Sequence, residues 1–220
     1  MITFAIHGYL GVNPAQEFGT LQTEFEKRGF PCRIFRSTRL RPFRSSPKLP
    51  AKMRNRDGAE FPVETTKTPN QDRAKFMVEA LRDVEGEVAL IGISNQGLFM
   101  PLVAAARPIR RIVMINAVIP HPGQSFVEGS KGERVWANFI TGFIARRAIG
   151  MNEICPLTEL PKVEYVYICG EKDDAIRPAW EQWAARTYLH VEPVVLKGAG
   201  HANIILNYAS EVVEAAIKGL

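Results

Sequence analysis

Six short runs of apolar or β-branched residues recur along the chain, and patterns typical of helices separate most of them. The runs cover residues 3–6, 32–35, 88–91, 112–115, 163–168 and 193–196. Continuous apolar runs of this length predict strands that are buried on both faces, as in a parallel sheet. Strands that alternate with helices favour right-handed crossovers, which place helices on both sides of the sheet. We therefore expect an α/β fold with about six mainly parallel strands.

Start and stop signals delimit the helices between these runs. Asn13-Pro14 provides an N-cap and a first-turn proline, and Gly29 marks the end of that helix. Thr68-Pro69 opens a second helix. The apolar stripes at helical spacing are Phe18, Leu21 and Phe25; Ala74, Met77, Val78 and Leu81; Trp180, Trp183 and Ala184; and Val213, Ala216, Ile217 and Leu220. These stripes predict four helices that pack against the sheet.

Chain length and residue types set the class of protein. The 220 residues suit one domain, residues 1–220, that buries its sheet without disulfides. Cys32, Cys155 and Cys169 are far apart and form no C-x-x-C pair, so we expect reduced, buried thiols. His121 and His190 lack partners at metal-ligand spacing, and no phosphate-binding glycine motif occurs. We therefore expect neither a metal nor a cofactor.

The start of the chain and its hydropathy bear on localisation. The first residues lack a basic region and a long apolar core, and no segment reaches membrane-spanning length. From these features we expect a soluble, cytoplasmic protein without a membrane partner. The sequence leaves the oligomeric state open.

The positive charge of the chain is concentrated in one segment. Of 28 basic residues, eight fall in one run without an acidic residue, although the formal charge of the chain is only +5. They are Arg36, Arg39, Arg41, Arg44, Lys48, Lys52, Arg54 and Arg56. The irregular stretch 36–67 is therefore interpreted as a basic insertion: a solvated loop with a hairpin around Asp57-Gly58, or an electropositive rim for an anionic partner. Phe43 is the one aromatic residue in the run, which gives nucleic-acid binding little support.

A serine interrupts one of the apolar runs at the point where a helix should begin. The segment reads Leu90-Ile91-Gly92-Ile93-Ser94-Asn95-Gln96-Gly97. A tight turn from strand to helix lifts the serine hydroxyl clear of the sheet and leaves backbone N–H groups free to bind an anion. Such a turn is typical of a nucleophilic serine, and an ordinary helix cap is the alternative.

An acid and a histidine follow the serine along the chain. Asp173 and Asp174 lie in the loop after the fifth run, and His201 follows the last run in a glycine-flanked loop. A serine hydroxyl needs a base to become a nucleophile, and the base needs a carboxylate to orient it. The order Ser-Asp-His therefore predicts Ser94 as the nucleophile and His201 as the base, with either aspartate as the acid.

From residue 88 onward the sequence resembles the small carboxylesterase and hydroxynitrile-lyase branch of the α/β-hydrolase superfamily. The similarity lies in the serine segment and the His7-Gly8 turn, and it does not extend over the basic insertion. It also includes Ile119-Pro120-His121-Pro122-Gly123-Gln124-Ser125 and the acid loop Lys172-Asp173-Asp174-Ala175-Ile176-Arg177-Pro178. The resemblance implies the α/β-hydrolase fold with a six-stranded core that starts at the family's third strand. It also implies Asp173 as the acid.

The resemblance further implies an oxyanion site and a short helical cap. The backbone N–H groups of Asn95 and Tyr9 are expected to bind the oxyanion. The cap would comprise residues 121–160, in which the segment 135–147 carries apolar side chains at helical spacing. Those side chains are interpreted either as a lid over Ser94 or as ordinary helix packing. The expected substrate-binding side chains are Tyr9, Phe99, Trp136, Phe139 and Phe143.

Gln96 departs from the family pattern, which places small residues two positions before and two positions after the serine. The small residue before is present as Gly92, but Gln96 occupies the second position and Gly97 follows it. Bulky neighbours crowd a serine held at strained backbone angles. Either the turn accommodates the glutamine, or Ser94 is less well exposed than in the family.

These observations predict a serine hydrolase that cleaves carboxylic esters, with lactones as a further class, through an acyl-enzyme. The expected partner is a small to medium, largely apolar ester. Two alternatives stay open. The same three residues can catalyse C–C or cyanohydrin cleavage, or the chain can be a non-catalytic binding protein that keeps the fold.

Overall fold

Six parallel strands form the central sheet of the protein. The structure is a computed structural model and describes residues 1–8, 18–35, 52–54, 60–62 and 69–220. The six strands of this sheet are β1 (Ile2–His7), β2 (Cys32–Phe35), β5 (Glu87–Ile93), β6 (Arg111–Ile115), β7 (Glu164–Gly170) and β8 (Val194–Leu196), and β3 (Lys52–Arg54) and β4 (Glu60–Pro62) lie outside it. The sheet has the order β2-β1-β5-β6-β7-β8, and every neighbouring pair is parallel. The predicted fold class, a six-stranded parallel sheet flanked by helices, is confirmed.

A separate two-stranded ribbon lies within the predicted insertion. β3 and β4 pair antiparallel, with Lys52 opposite Pro62 and Arg54 opposite Glu60. This pairing agrees with the expected hairpin, whose turn at Asp57-Gly58 lies outside the described residues. The basic run, apart from the backbone of β3, also lies outside them.

Alternate residues of each strand fill the cores on the two faces of the sheet. In β5, Val88 and Leu90 pack on one face, whereas Ala89, Ile91 and Ile93 pack on the other. Both sets are buried, which explains why the strand is apolar without alternation. All three cysteines are buried and form no disulfide, as the sequence predicts.

Helices cover both faces of the sheet. In chain order they are α1 (Gly19–Lys27), α2 (Asn70–Ala80), α3 (Met100–Ala106), α4 (Phe126–Gly129), α5 (Phe139–Ala145), α6 (Ile149–Asn152), α7 (Pro178–Ala184), α8 (Ile204–Asn207) and α9 (Ala209–Ile217). Buried residues of α1 and α9 pack on one face, and those of α2, α3 and α7 pack on the other. The predicted starts of the first two helices, at Asn13 and Thr68, lie outside the described residues. Among the described residues, no helix combines the length and apolar character needed to cross a membrane.

A buried arginine fastens the end of the chain to the sheet. Arg111 at the start of β6 is completely buried, and its guanidinium donates to the carbonyl oxygens of Ala216 and Lys218 at 2.6 and 3.0 Å. It also pairs with Glu164 of β7. These charge-assisted bonds satisfy carbonyl groups at the end of α9, next to the strands that lead toward the site.

Candidate active site

Ser94 lies at the carboxyl end of β5, in a strained turn. The strand ends at Ile93, and residues Ser94–Leu98 form a short 3-10 turn that leads into α3. Ser94 has a φ of 56°, in the left-handed region that costs a non-glycine residue roughly 1–2 kcal/mol. Its carbonyl oxygen accepts a hydrogen bond from Val118 N at 3.1 Å. The turn therefore holds the hydroxyl away from the sheet, as expected for a nucleophilic serine.

Three side chains predicted from separate parts of the sequence lie in one row. Ser94 Oγ is 3.0 Å from His201 Nε2, and His201 Nδ1 is 2.7 Å from Asp173 Oδ2. Because a carboxylate only accepts, the proton belongs on Nδ1, which leaves Nε2 to accept from the serine hydroxyl. The carboxylate that reaches His201 is that of Asp173. The neighbouring Asp174 instead accepts at its backbone oxygen from Asn138 Nδ2 at 2.7 Å.

The surroundings fix Asp173 and favour a charged imidazole. The carboxylate is completely buried, and Oδ1 accepts from the N–H groups of Ala175 and Ile176 at 2.7 and 2.8 Å. Burial by itself lowers the pKa of His201, but the charge of Asp173 and its hydrogen bond outweigh burial, so the pKa is raised. An imidazole in this position readily takes up a proton at Nε2, on the side of Ser94.

Asn116 connects the loops that carry the acid and the histidine, and sequence reasoning missed it. It directly follows β6, is completely buried and has a φ of 43°. Its Nδ2 donates to the carbonyl oxygens of Gly200 and His201, both at 3.2 Å, and its Oδ1 accepts from Gly170 N at 2.8 Å. A polar residue just after a buried parallel strand was the one available signal, because such strand ends line the sites of α/β folds.

Gln96 is accommodated inside the turn. It is completely buried, with its carboxamide turned toward the sheet. Oε1 accepts from Ile93 N at 3.1 Å, and Nε2 donates to the carbonyl oxygen of His7 at 2.7 Å. The requirement for a small residue moves to Gly97, where a Cβ atom would collide with the carbonyl oxygen of Val118. The turn therefore accepts a glutamine while the hydroxyl of Ser94 still reaches His201.

Of the two expected oxyanion donors, the structure describes Asn95 but not Tyr9. Asn95 lies in the turn directly after Ser94, where its backbone N–H belongs to the start of the short helix. Its side-chain oxygen is buried and has no hydrogen-bond partner among the described residues. Tyr9 lies outside the described residues, so its roles as an oxyanion donor and in substrate binding stay predictions.

The predicted cap helix is shorter than its apolar spacing indicated. α5 begins at Phe139, because Asn138 is the N-cap and accepts from Thr141 N at 2.8 Å. Trp136 lies before the helix, in an extended segment that pairs with Ile176 next to the acid loop. The prediction of one helical pattern over residues 135–147 was therefore wrong for its first part. Hydrogen bonding to Asp174 attaches this segment directly to the loop that carries Asp173.

The other predicted substrate-binding side chains differ in exposure. Phe99 is completely buried at the start of α3 and contacts the ring of His7, with a centroid distance of 5.2 Å. Trp136 is partly buried against the core. On α5, Phe139 is 85% exposed and Phe143 is 41% exposed. Phe139 and Phe143 thus present apolar surface on the helix that follows Asn138, the residue bonded to the acid loop, whereas Phe99 belongs to the core.

Metal binding finds no support in the part of the chain that the structure describes. Within it, no three histidine, cysteine, aspartate or glutamate side chains cluster closely enough to hold an ion.

Whole-chain comparison relates this architecture to solved structures of low sequence identity. No family model matches the sequence, and no curated protein shows significant sequence similarity to it. Polyneuridine aldehyde esterase matches with a TM-score of 0.63 at 11% identity, covering 98% of each chain. An α/β hydrolase enzyme from a sediment metagenome of the Mar Chica lagoon, Morocco, matches with a TM-score of 0.60 at 18% identity, covering 98% of this chain and 89% of the other.

A third match has a described functional relative. An extracellular α/β-hydrolase from a Paenibacillus species, with structural and functional homology to tobacco salicylic acid binding protein 2, has a TM-score of 0.59 at 16% identity. The match covers 99% of this chain and 98% of that one. At such identities the likeness establishes the fold. The chain therefore has the α/β-hydrolase fold, as the resemblance in its sequence predicted.

Proposed function

We propose that the protein is a serine hydrolase that cleaves carboxylic esters, lactones among them, through an acyl-enzyme. The observation that carries the proposal is the row of contacts from Ser94 Oγ to His201 Nε2, at 3.0 Å, and from His201 Nδ1 to Asp173 Oδ2, at 2.7 Å. Both distances suit proton transfer through an oriented imidazole. The strained backbone of Ser94 is further support, because such strain concentrates at functional sites.

Acylation follows from the roles of these three residues. Ser94 Oγ attacks the ester carbonyl carbon as His201 Nε2 takes the hydroxyl proton, and Asp173 stabilises the imidazolium. The tetrahedral intermediate carries its negative charge on the former carbonyl oxygen. Backbone N–H groups of Asn95 and Tyr9 are the proposed donors to it, each worth about 3–4 kcal/mol in comparable sites.

Acylation ends and deacylation follows with water. As the first tetrahedral intermediate collapses, the carbon–oxygen bond to the alcohol breaks, and His201 gives its proton to the departing oxygen, which leaves the acyl-enzyme. A water molecule then attacks the acyl group while His201 takes up one of its protons. The carboxylic acid leaves, and Ser94 regains its hydroxyl proton. No step needs a metal or a cofactor.

The apolar side chains near the acid loop support a small to medium, largely apolar substrate. Phe139 and Phe143 of α5 expose ring surface, and Asn138 attaches the start of this helix to the loop of Asp173. In the proposed site this apolar surface would accept acyl or aryl groups and exclude water. One structural neighbour, polyneuridine aldehyde esterase, is an esterase, which agrees with the proposal.

Hydrolysis of chromogenic esters tests the proposal against its two alternatives. We expect the purified protein to release nitrophenol from nitrophenyl acetate and butyrate, with saturation kinetics. A parallel assay follows release of benzaldehyde from mandelonitrile, a cyanohydrin. Cleavage of mandelonitrile with both esters intact would identify a lyase. If no ester is cleaved although ester analogues bind, the protein is a binding protein and the proposal is wrong.

A further inference from the structure

The side chain of Gln96 bridges the last positions of β1 and β5, where the register predicts a direct ladder bond between Ile93 N and His7 O. Ile6 lies opposite Ile91 in the parallel register, so continuation of the strands would place Gly8 opposite Ile93. Even-numbered residues of β1 direct their backbone groups to β2, as Gly8 N does to Phe35 O at 2.9 Å. The odd-numbered His7 therefore faces β5, and its carbonyl oxygen is the acceptor that Ile93 N would meet next.

The carboxamide of Gln96 lies between these two groups. Its Oε1 accepts from Ile93 N at 3.1 Å, and its Nε2 donates to His7 O at 2.7 Å. A direct ladder bond joins N and O at about 2.9 Å, whereas here a whole amide group separates them. The side chain thus replaces one rung of the sheet and bridges the ends of β1 and β5.

These two strand ends carry the two halves of the proposed oxyanion site. Ile93 directly precedes Ser94, and His7-Gly8 leads into the segment that contains Tyr9. We propose that Gln96 is a positioning residue that sets the spacing between the serine turn and the end of β1. The proposal rests on the proposed function of this site. Gln96 acts through the backbone and touches no reacting atom.

Loss of the amide has consequences for geometry whichever way the structure responds. An apolar side chain at position 96 removes the acceptor that Gln96 offers to Ile93 N and the donor that it offers to His7 O, or lets the strands close to form the direct bond. Either response moves the serine turn relative to the end of β1. A displacement of about 1 Å in an active site can lower the rate by about 100-fold.

Gln96→Met tests the proposal, with Gln22→Met as the matched control. Gln22 also uses its carboxamide to bridge elements, donating from Nε2 to Cys32 O at 2.9 Å, but it does so at the opposite end of the sheet. We expect Gln96→Met to lower kcat for a nitrophenyl ester by roughly 10- to 100-fold, with KM changed less than about threefold. The rate of labelling by a fluorophosphonate should fall by a similar factor. Gln22→Met should leave both rates within about twofold of wild type.

A second variant and the labelling rate distinguish failure of this proposal from misfolding and from failure of the proposed function. Gln96→Glu keeps the shape and the acceptor for Ile93 N but presents an oxygen to His7 O, so we expect the same loss of kcat if Gln96→Met does not fold. A kcat in either variant that matches Gln22→Met would overturn the proposal. Labelling needs a reactive serine but no ester turnover. Slow labelling of Gln96→Met in a protein that cleaves no ester would therefore contradict the proposed function and leave the role of Gln96 standing.

Discussion

Ser94→Ala is expected to lower kcat/KM for nitrophenyl butyrate by about 10⁴- to 10⁶-fold, to the level left by binding and the oxyanion donors alone. The variant removes the oxygen that would form the acyl bond. It leaves the contact between His201 and Asp173 in place. Steady-state release of nitrophenol measures the loss directly.

Ser210→Ala is the matched control for this variant. Ser210 also carries a hydroxyl in a hydrogen bond, which it accepts from Arg28 at 2.7 Å on the surface of α9. We expect the control to keep wild-type kcat/KM, because its hydroxyl lies outside the row that includes His201. Ser94→Ala with more than about one per cent of wild-type activity would contradict nucleophilic catalysis by Ser94.

Asp173→Asn is expected to lower kcat by about 10⁴-fold and to shift the acid limb of the pH–rate profile. In the wild type, Asp173 contributes to a raised pKa of His201, and catalysis needs the neutral imidazole. Activity should therefore rise as pH increases through a midpoint above the ordinary value for histidine. Asparagine removes the charge that favours the imidazolium, so the midpoint should move to lower pH. Profiles of kcat/KM against pH measure both effects.

The neighbouring aspartate offers a matched control. Asp174→Asn removes a carboxylate from the same loop. The backbone oxygen of Asp174, and not its side chain, accepts the hydrogen bond from Asn138. That bond is retained in the variant, so we expect kcat to stay within about threefold of wild type. The charge of Asp174 also contributes to the raised pKa of His201, so a small downward shift of the acid limb is expected. Equal losses of kcat in the two variants would show that Asp173 has no special role.

The strands were predictable because each one is an uninterrupted apolar run. The run at residues 88–91 became β5, Glu87–Ile93, and the other five runs also became strands of the sheet. Helix ends were less predictable, because apolar spacing alone does not identify a cap. The apolar spacing at Trp136 continues into α5, yet the N-cap at Asn138 starts the helix at Phe139.

The residues of the candidate site also differ in how well the sequence predicts them. Ser94, Asp173 and His201 stand in short local motifs, so the sequence pointed to each one, and the structure brings the three side chains into contact. Their roles in catalysis stay predictions. Asn116 and Gln96 act through contacts with residues more than 80 positions away, at His201 and His7. No local pattern contains that information, so Asn116 was missed and Gln96 was noticed only as a departure.

The positions of the proposed acid and base depend on these distant contacts. Asn116 connects the loop of His201 with Gly170, where the loop of Asp173 begins. Buried amide side chains with all their bonds satisfied rigidify the elements that they join. The proposed catalytic side chains lie in turns and loops, but buried hydrogen bonds to the sheet fix the positions of those segments.

Labelling with a fluorophosphonate, followed by peptide mapping, tests most directly whether Ser94 is an activated nucleophile. These reagents react with a serine hydroxyl that a neighbouring base deprotonates, and they add a defined mass to it. We expect one phosphonate per chain, on the peptide that contains Ser94, with no labelling after heat denaturation. Absence of label on the folded protein, or label on another residue, would contradict the proposed active site.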